Sequence, residues 1–174
     1  ISKSWISDLS VELTSMAIQI YGGMGYVEET GVAQYLRDAR IAPIYAGTNG
    51  IQALDLTLKK IHIDEGKIVN NLFDEMISVS NELNKSDILS KLTESYQFHI
   101  KNLMESTEKV RKLMINGNQK SISGFASPYT KMFGQVLGGY YMAKAAVIAD
   151  KKYKETGEEY YKDKITLSKF YIEQ

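Results

Sequence analysis

Apolar residues recur at steps of three and four along most of the chain, a spacing that places them on one face of an α-helix. The first such stripe consists of Trp5, Leu9, Leu13, Met16 and Ile20. Gly22 and Gly23 follow it and predict the end of that helix, and residues 22–30 are predicted as a glycine-rich connector. No segment shows the alternation of a strand, so we predict an all-α fold of antiparallel helices.

Two short helices are predicted next. The first covers Gln34 to Ile41 and is ended by Pro43, because the residue before a proline is disfavoured in helical conformation. The second opens near Thr48 or Asn49, where Asn49 and Gln52 have the N-cap and N3 residue types of a capping box.

Longer helices are predicted in the rest of the chain, over about residues 68–83, 86–114, 127–156 and 161–172. Ser86 or Asp87 is the expected cap of the second of these helices. Residues 117–124 are predicted as a break, with Ser127 as N-cap and Pro128 at the first helical position of the helix that follows.

The character of the helices changes near His62–Gly66. Short helices with glycine-rich connectors precede this point, and long helices with simple turns follow it. We therefore predict two domains, residues 1–64 and 65–174, the second being an added helical bundle that serves packing or oligomerisation.

Composition excludes several classes of function. Lys plus Arg and Asp plus Glu both number 21, so no net charge draws the chain toward nucleic acid or anionic lipid. The chain has no cysteine and only two histidines, without metal-binding spacing, so neither a disulfide scaffold nor a metal site is predicted. No apolar run approaches the roughly 18 residues that span a bilayer.

The two ends of the chain also carry information. It starts at Ile1 without methionine and stops at Gln174 inside a periodic segment, which favours a piece of a longer polypeptide over a naturally processed end. Absence of cysteine and of a leader sequence agrees with a cytoplasmic location.

Two segments could bind an anionic ligand. Gly22, Gly23 and Gly25 would let backbone N–H groups approach a phosphate, although a plain helix end explains the same residues and is the favoured interpretation. Thr48 and Asn49 at a helix start offer donors and a positive dipole end, although ordinary capping explains them equally well.

The order of the motifs is more specific than any one of them. QIYGGMGY, EETG, YLRDARI and IYAGTNGIQ, which follow one another within residues 19–52, resemble the carboxy-terminal helical domain of acyl-CoA dehydrogenases. The resemblance is close over about residues 1–62. The remainder, with its segment FASPYTKMFGQVLGGYYMAKAA, is similar to the extra helical domain of a subgroup that includes the 3-methylmercaptopropionyl-CoA dehydrogenases.

The resemblance implies an FAD enzyme that acts on acyl-CoA thioesters, assembles as a homo-oligomer and passes electrons to an electron-transfer flavoprotein. By position the resemblance implies six residues that contact the cofactor: Gln19, Gly22, Gly23, Thr48, Asn49 and Gly50. The first three would approach the adenosine-diphosphate portion of a flavin that is bound mainly by a neighbouring subunit. Tyr45 and Gly47 match positions that line the thioester end of the substrate site. Arg37 and Asp38 fit a structural ion pair that orients their helix.

One position departs from the family pattern. The family reaction needs a carboxylate base at Cα, and in the commonest arrangement it is the Glu of Y-E-G-T, where this chain has Ala46. The base could lie on another helix outside this segment, the glutamate could have been replaced deliberately, or the protein could be a catalytically silent relative. The last case corresponds to the alternative function, a non-catalytic helical interaction module. No residue of this chain is assigned as the base.

Overall fold

The computed structural model describes all residues from Ile1 to Gln174 and contains helices without a strand, which confirms the predicted all-α fold. The eight α-helices are α1 (Ser2–Tyr21), α2 (Gly23–Tyr26), α3 (Val32–Arg40), α4 (Asn49–Leu58), α5 (Lys67–Asn84), α6 (Thr93–Ile115), α7 (Gln119–Thr156) and α8 (Glu159–Glu173). Short 3-10 segments lie at Glu28–Thr30, within Lys60–Gly66 and at Ser90–Leu92, and the second is interrupted by a kink at Ile63–Glu65. None of the helices combines the length and the apolar character that crossing a membrane requires.

The chain packs as two compact units. The first consists of residues 1–60 and 117–134, and the second of residues 61–116 and 135–174, so the division falls within α7. In the first unit, α1 packs against α2, α3 and α4. In the second unit, α5 packs against α6, which also contacts α8. The division into domains 1–64 and 65–174 stays a prediction, because a packing unit need not coincide with a domain.

The predicted start of α7 is wrong. The break covers only the residues around Gly117, and α7 runs from Gln119 through Pro128 without interruption. Proline removes one helical hydrogen bond and normally favours a helix start. Here Ile122 and Ala126, one helical turn apart, are both buried, and their packing keeps the preceding residues helical.

The predicted cap of α6 is also wrong. Ser86 accepts a hydrogen bond from the N–H of Leu89 at 3.4 Å, but this closes an isolated turn, and α6 begins only at Thr93. Leu89 and Leu92 are fully buried, so the irregular segment is held in place by its apolar side chains rather than by helical hydrogen bonds.

The apolar stripes of the second unit form its core. In α5 the stripe buries Met76, Val79 and Leu83, while Ile68 at its start is exposed. The stripe of α6 is buried at Tyr96, Ile100, Leu103, Thr107 and Val110.

In α1 the stripe behaves differently from those of α5 and α6. Leu13, Met16 and Ile20 are 54%, 54% and 82% exposed, whereas the buried residues of this helix are Ser4 and Ser7. The most deeply buried positions of α1 are therefore small polar residues.

Gly134 of α7 allows the close approach of Trp5, because a Cβ at position 134 would overlap the indole ring. We expect Gly134→Ala to lower the free energy of unfolding by about 1–3 kcal/mol through overpacking. Gly124→Ala in the same helix is the control. A Cβ there meets no atom within 4 Å, so the change should stabilise the helix by up to about 1 kcal/mol. Urea denaturation of both variants measures the difference, and a loss of equal size in the two would contradict the packing explanation.

The buried Tyr96 predicts that the second unit loses stability at alkaline pH. Its hydroxyl donates to the carbonyl of Met76 at 2.9 Å, and burial, with a smaller effect of Tyr140, raises the pKa of Tyr96 above its ordinary value of 10.0. Since the unfolded chain releases this proton at lower pH than the folded chain, stability should fall as the pH rises above about 10.

We expect Tyr96→Phe to cost about 1 kcal/mol at pH 7 through the lost hydrogen bond and to flatten the alkaline decline. Urea unfolding measured from neutral to alkaline pH tests both effects. Tyr141→Phe, at a side chain that is 60% exposed, is the control. An alkaline slope unaltered by Tyr96→Phe would mean that another group causes it.

Candidate functional site

The segment between α3 and α4 has an unusual backbone. Ala46 and Gly47 are both left-handed, with φ of 55° and 80°. The Thr48 hydroxyl then accepts the Ile51 N–H at 3.3 Å, so Thr48 is the N-cap of α4. The predicted capping box of Asn49 and Gln52 is therefore wrong. The side chain of Asn49, the first helical residue, is bonded to α1 instead and cannot cap α4.

Three hydrogen bonds fix this loop, defined here as Pro43–Thr48. The backbone N–H of Asn49 donates to the Pro43 carbonyl at 3.0 Å. The Nε2 of Gln52 donates to the Ala46 carbonyl at 3.3 Å, and the Nζ of Lys3 donates to the Gly47 carbonyl at 2.6 Å. Three carbonyls of one short loop thus each have a donor, which leaves the loop little freedom to rearrange.

The side-chain amide of Asn49 is bonded to the first two turns of α1. Its Nδ2 lies 3.0 Å from the Ser4 carbonyl, 2.9 Å from the Ser7 Oγ and 2.7 Å from the Asp8 Oδ1. Its Oδ1 accepts from the Lys3 Nζ at 2.7 Å and from the Ser7 Oγ at 3.2 Å. The amide has two N–H donors and one carbonyl acceptor, so its hydrogen-bonding capacity is used within the protein.

Most of the loop and the exposed side of the α4 start face solvent. Tyr45, Ala46, Gly47, Thr48 and Gly50 are exposed, and Tyr45 is exposed to 60%. This face is therefore open to a ligand, while the face made by Asn49 is closed against α1.

The glycine-rich segment begins with the predicted end of α1. The N–H of Gly22, at φ 61°, donates to the Gln19 carbonyl at 3.1 Å. The predicted open connector is wrong beyond this point, because α2 begins at Gly23 and the N–H of Gly25 bonds the Gly22 carbonyl. Gly25 is buried, and a Cβ there would overlap the backbone of Ile18.

The predicted ion pair of Arg37 and Asp38 is wrong. Arg37 instead makes a bidentate pair with Glu28, at 2.9 and 3.1 Å, and the Asp38 Oδ1 accepts from the Gln34 Nε2 at 2.6 Å. Adjacent residues of a helix do not face each other, which excludes the predicted pairing. Arg37 nevertheless has the predicted structural role, because it ties α3 to the segment before it.

The two candidate segments lie at opposite ends of α1. The loop adjoins Ser4 in the first turn, whereas Gln19, Gly22 and Gly23 lie at the last turn. Fifteen residues separate Ser4 from Gln19, which corresponds to roughly 22 Å along the helix axis. The structure does not bring the two segments together, so a ligand shorter than this distance could not touch both in one chain.

Lys3 and Ser7 are contacts of the site that the sequence did not identify. They lie on one face of α1, four residues apart, and this spacing is the only signal in the sequence. No group of three or more His, Asp or Glu residues among the 174 is arranged to hold a metal ion.

Two family models match the chain. Residues 1–59 match the model described as "Acyl-CoA dehydrogenase, C-terminal domain", and residues 71–174 match "Acetyl-CoA dehydrogenase C-terminal like".

Similar proteins are found among bacterial enzymes. The chain is 31% identical over 180 residues to the 3-methylmercaptopropionyl-CoA dehydrogenase of Ruegeria pomeroyi, with 99% of this chain and 29% of that protein covered. It is 26% identical to the butyryl-CoA dehydrogenase of Syntrophomonas wolfei, with 98% of this chain and 28% of that protein covered. A 54-residue part is 48% identical to a short-chain specific acyl-CoA dehydrogenase of Megasphaera elsdenii, covering 31% of this chain and 14% of that protein. The chain thus spans less than a third of the length of each.

Gly47 should be hard to replace. A Cβ there would lie 2.9 Å from the Gln52 Nε2, and the left-handed backbone disfavours any side chain. We expect Gly47→Ala to destabilise the protein by about 1–2 kcal/mol. Gly50→Ala is the control, because position 50 is helical and a Cβ there meets only the Thr48 hydroxyl at 4.0 Å. Urea denaturation of the two variants tests the prediction. A free energy of unfolding unchanged by Gly47→Ala would show that the loop can adopt another conformation.

Proposed function

The chain belongs to the acyl-CoA dehydrogenase family, and on that premise we propose that it forms the C-terminal part of an FAD-dependent enzyme that oxidises the Cα–Cβ bond of an acyl-CoA thioester. The observation that carries the proposal is the loop before α4, which holds an exposed, fixed backbone at the positions that match the family's catalytic segment. The remaining parts of the site would lie on other segments or on another subunit.

The residues at both ends of α1 suit a dinucleotide. A Cβ at Gly22 or Gly23 would meet open space, so a ligand can come close to the backbone there, beside the exposed Gln19. The start of α4, with Thr48 and Gly50 exposed and the positive end of the helix dipole beside them, suits a polar or anionic group.

Asn49 belongs to the α4 start too, but its side-chain amide is bonded to α1 and its N–H to the Pro43 carbonyl, so we include it as a residue that shapes the proposed FAD-facing surface without donating to FAD. Since roughly 22 Å separates the two ends of α1, they would contact opposite ends of one extended FAD or two different FAD molecules. The second arrangement would require the proposed homo-oligomer. FAD, when bound, supplies the redox chemistry of such an enzyme.

Tyr45 and Gly47 are the proposed contacts of the thioester end of the acyl-CoA substrate. Both lie on the exposed side of the loop, next to the N-terminus of α4, where backbone donors could orient a thioester carbonyl. The proposed electron acceptor is an electron-transfer flavoprotein, and the proposed location is the cytoplasm.

Ala46 leaves the proton acceptor unassigned in this chain. Its methyl group cannot accept a proton, so the base would come from another segment, or the present residue replaces a glutamate by design or by loss of function. Ala46 has a left-handed backbone, a strained conformation that is concentrated at functional sites, and this supports a role for the loop itself. The second candidate function, a non-catalytic helical module, is favoured by the same alanine.

We expect Ala46→Glu in the full-length protein to accelerate anaerobic flavin bleaching by acyl-CoA by about 10²–10⁴-fold, the contribution of a general base. Ala46→Gln is the control, because glutamine has nearly the size of glutamate but no carboxylate, and it should not accelerate bleaching. Bleaching is measured with a panel of acyl-CoAs. Equal bleaching in all three proteins would place the base on another segment, and absence of bleaching in all three would favour the non-catalytic module.

A further inference from the structure

We propose that Lys3 and Asn49 are positioning residues that hold the loop before α4 in its left-handed conformation and thereby set the direction of position 46. We call these two residues, with the Asp8 carboxylate that Asn49 contacts, the α1 clamp. The structural part of the proposal concerns this chain alone, and its catalytic consequence rests on the proposed function.

The loop conformation is costly without support. Ala46 has φ of 55° and is followed directly by another left-handed residue, Gly47. A left-handed backbone costs an L-residue of this kind about 1–2 kcal/mol, and such residues persist where the surrounding contacts over-determine them. Lys3 and Asp8 are the members of the clamp that come from outside the loop and α4, and both contact Asn49 at the start of α4.

Lys3 supplies a charged donor at the strained point. Its Nζ lies 2.6 Å from the Gly47 carbonyl and 2.7 Å from the Asn49 Oδ1, so one ammonium group joins the loop to the start of α4. Both acceptors are neutral oxygens, and hydrogen bonds from a charged donor are about twice as strong as neutral ones. A neutral side chain of the same length would leave the Gly47 carbonyl without this donor.

Asn49 lies between two opposite charges. Its carbonyl oxygen faces the Lys3 ammonium, and its NH₂ group faces the Asp8 carboxylate at 2.7 Å. The amide dipole is therefore aligned with the field of the two charges, an arrangement in which hydrogen bonds polarise one another. An aspartate at position 49 would place a like charge beside Asp8. A leucine would remove the contacts of Asn49 with Asp8 and Lys3, and the lysine would then keep only its bond to the Gly47 carbonyl.

The clamp is relevant to catalysis because a reacting group must be placed accurately. A displacement of about 1 Å can lower a rate by about 10²-fold. Position 46 lies one residue before the carbonyl that Lys3 holds, so a side chain there takes its direction from the clamp.

The first experiment measures the loop directly and does not depend on activity. The hydrogen exchange rate of the backbone N–H of Asn49, which donates to the Pro43 carbonyl, is followed by NMR in the full-length protein. We expect Lys3→Met to accelerate it by about tenfold or more, as loss of a charge-assisted bond implies, with α5 and α6 unaffected. Lys3→Arg should restore protection. Lys59→Met is the control, because Lys59 is exposed and its only ion pair is 3.9 Å long.

Asn49→Asp provides a second structural test. It should accelerate exchange in the loop by setting a carboxylate against Asp8, and Asp8→Asn in the same protein should largely reverse the effect. Unchanged exchange in Lys3→Met, or an Asn49→Asp effect that Asp8→Asn does not reduce, would overturn the clamp whether or not the protein is active.

The catalytic consequence is measured in the Ala46→Glu protein as the limiting rate of anaerobic flavin reduction per bound flavin. We expect Lys3→Met to lower this rate by about tenfold or more at unchanged flavin content, and Lys3→Arg to recover it. A rate unchanged by Lys3→Met, with faster exchange in the loop, would remove the catalytic role. If no protein bleaches, the proposed function fails, and the exchange measurements still decide whether the clamp holds the loop.

Discussion

The close approach of α4 to the first two turns of α1 is the contact on which the candidate site depends. It is possible because α1 presents Ser4 and Ser7 there, two small residues that are 5% and 8% exposed. A large apolar side chain at either position would push Asn49 away from the helix and break its bonds to Lys3 and Asp8. The left-handed loop before α4 thus depends on small side chains about forty residues earlier in the chain.

The periodicity of apolar residues predicted the existence of the principal helices because each buries one face, and burial is what the pattern encodes. It failed where a local signal competed with packing. Pro128 reads as a helix start, yet the buried residues before it keep α7 helical. Ser86 reads as a cap, yet it closes only a turn. A pattern also shows which residues share a face without showing what covers that face, as the exposed Leu13, Met16 and Ile20 of α1 illustrate.

The candidate site was predictable only in part. The order of motifs identified the family, because glycines, caps and turns are local and leave fixed residue types behind. The partners of the loop were not predictable, since Lys3 is 44 residues from Gly47 and 46 from Asn49, and nothing local relates them. The same limit applies to Arg37, whose adjacent Asp38 suggested a pair that helix geometry forbids, while its true partner Glu28 lies nine residues away.

The bonds around Asn49 also bear on how the protein ages. Asn49 precedes Gly50, and in an Asn-Gly pair the unhindered nitrogen of the glycine can attack the side-chain carbonyl and expel ammonia. The succinimide ring so formed is opened by water to an aspartate or isoaspartate carboxylate. An amide held by α1 is restrained from the geometry of that attack. Once formed, the resulting carboxylate would set an oxygen against Asp8, where an N–H now lies at 2.7 Å. The hydrogen bonds that shape the loop therefore also protect Asn49 from deamidation. Local unfolding of the start of α1 would remove this protection, and the reaction is irreversible.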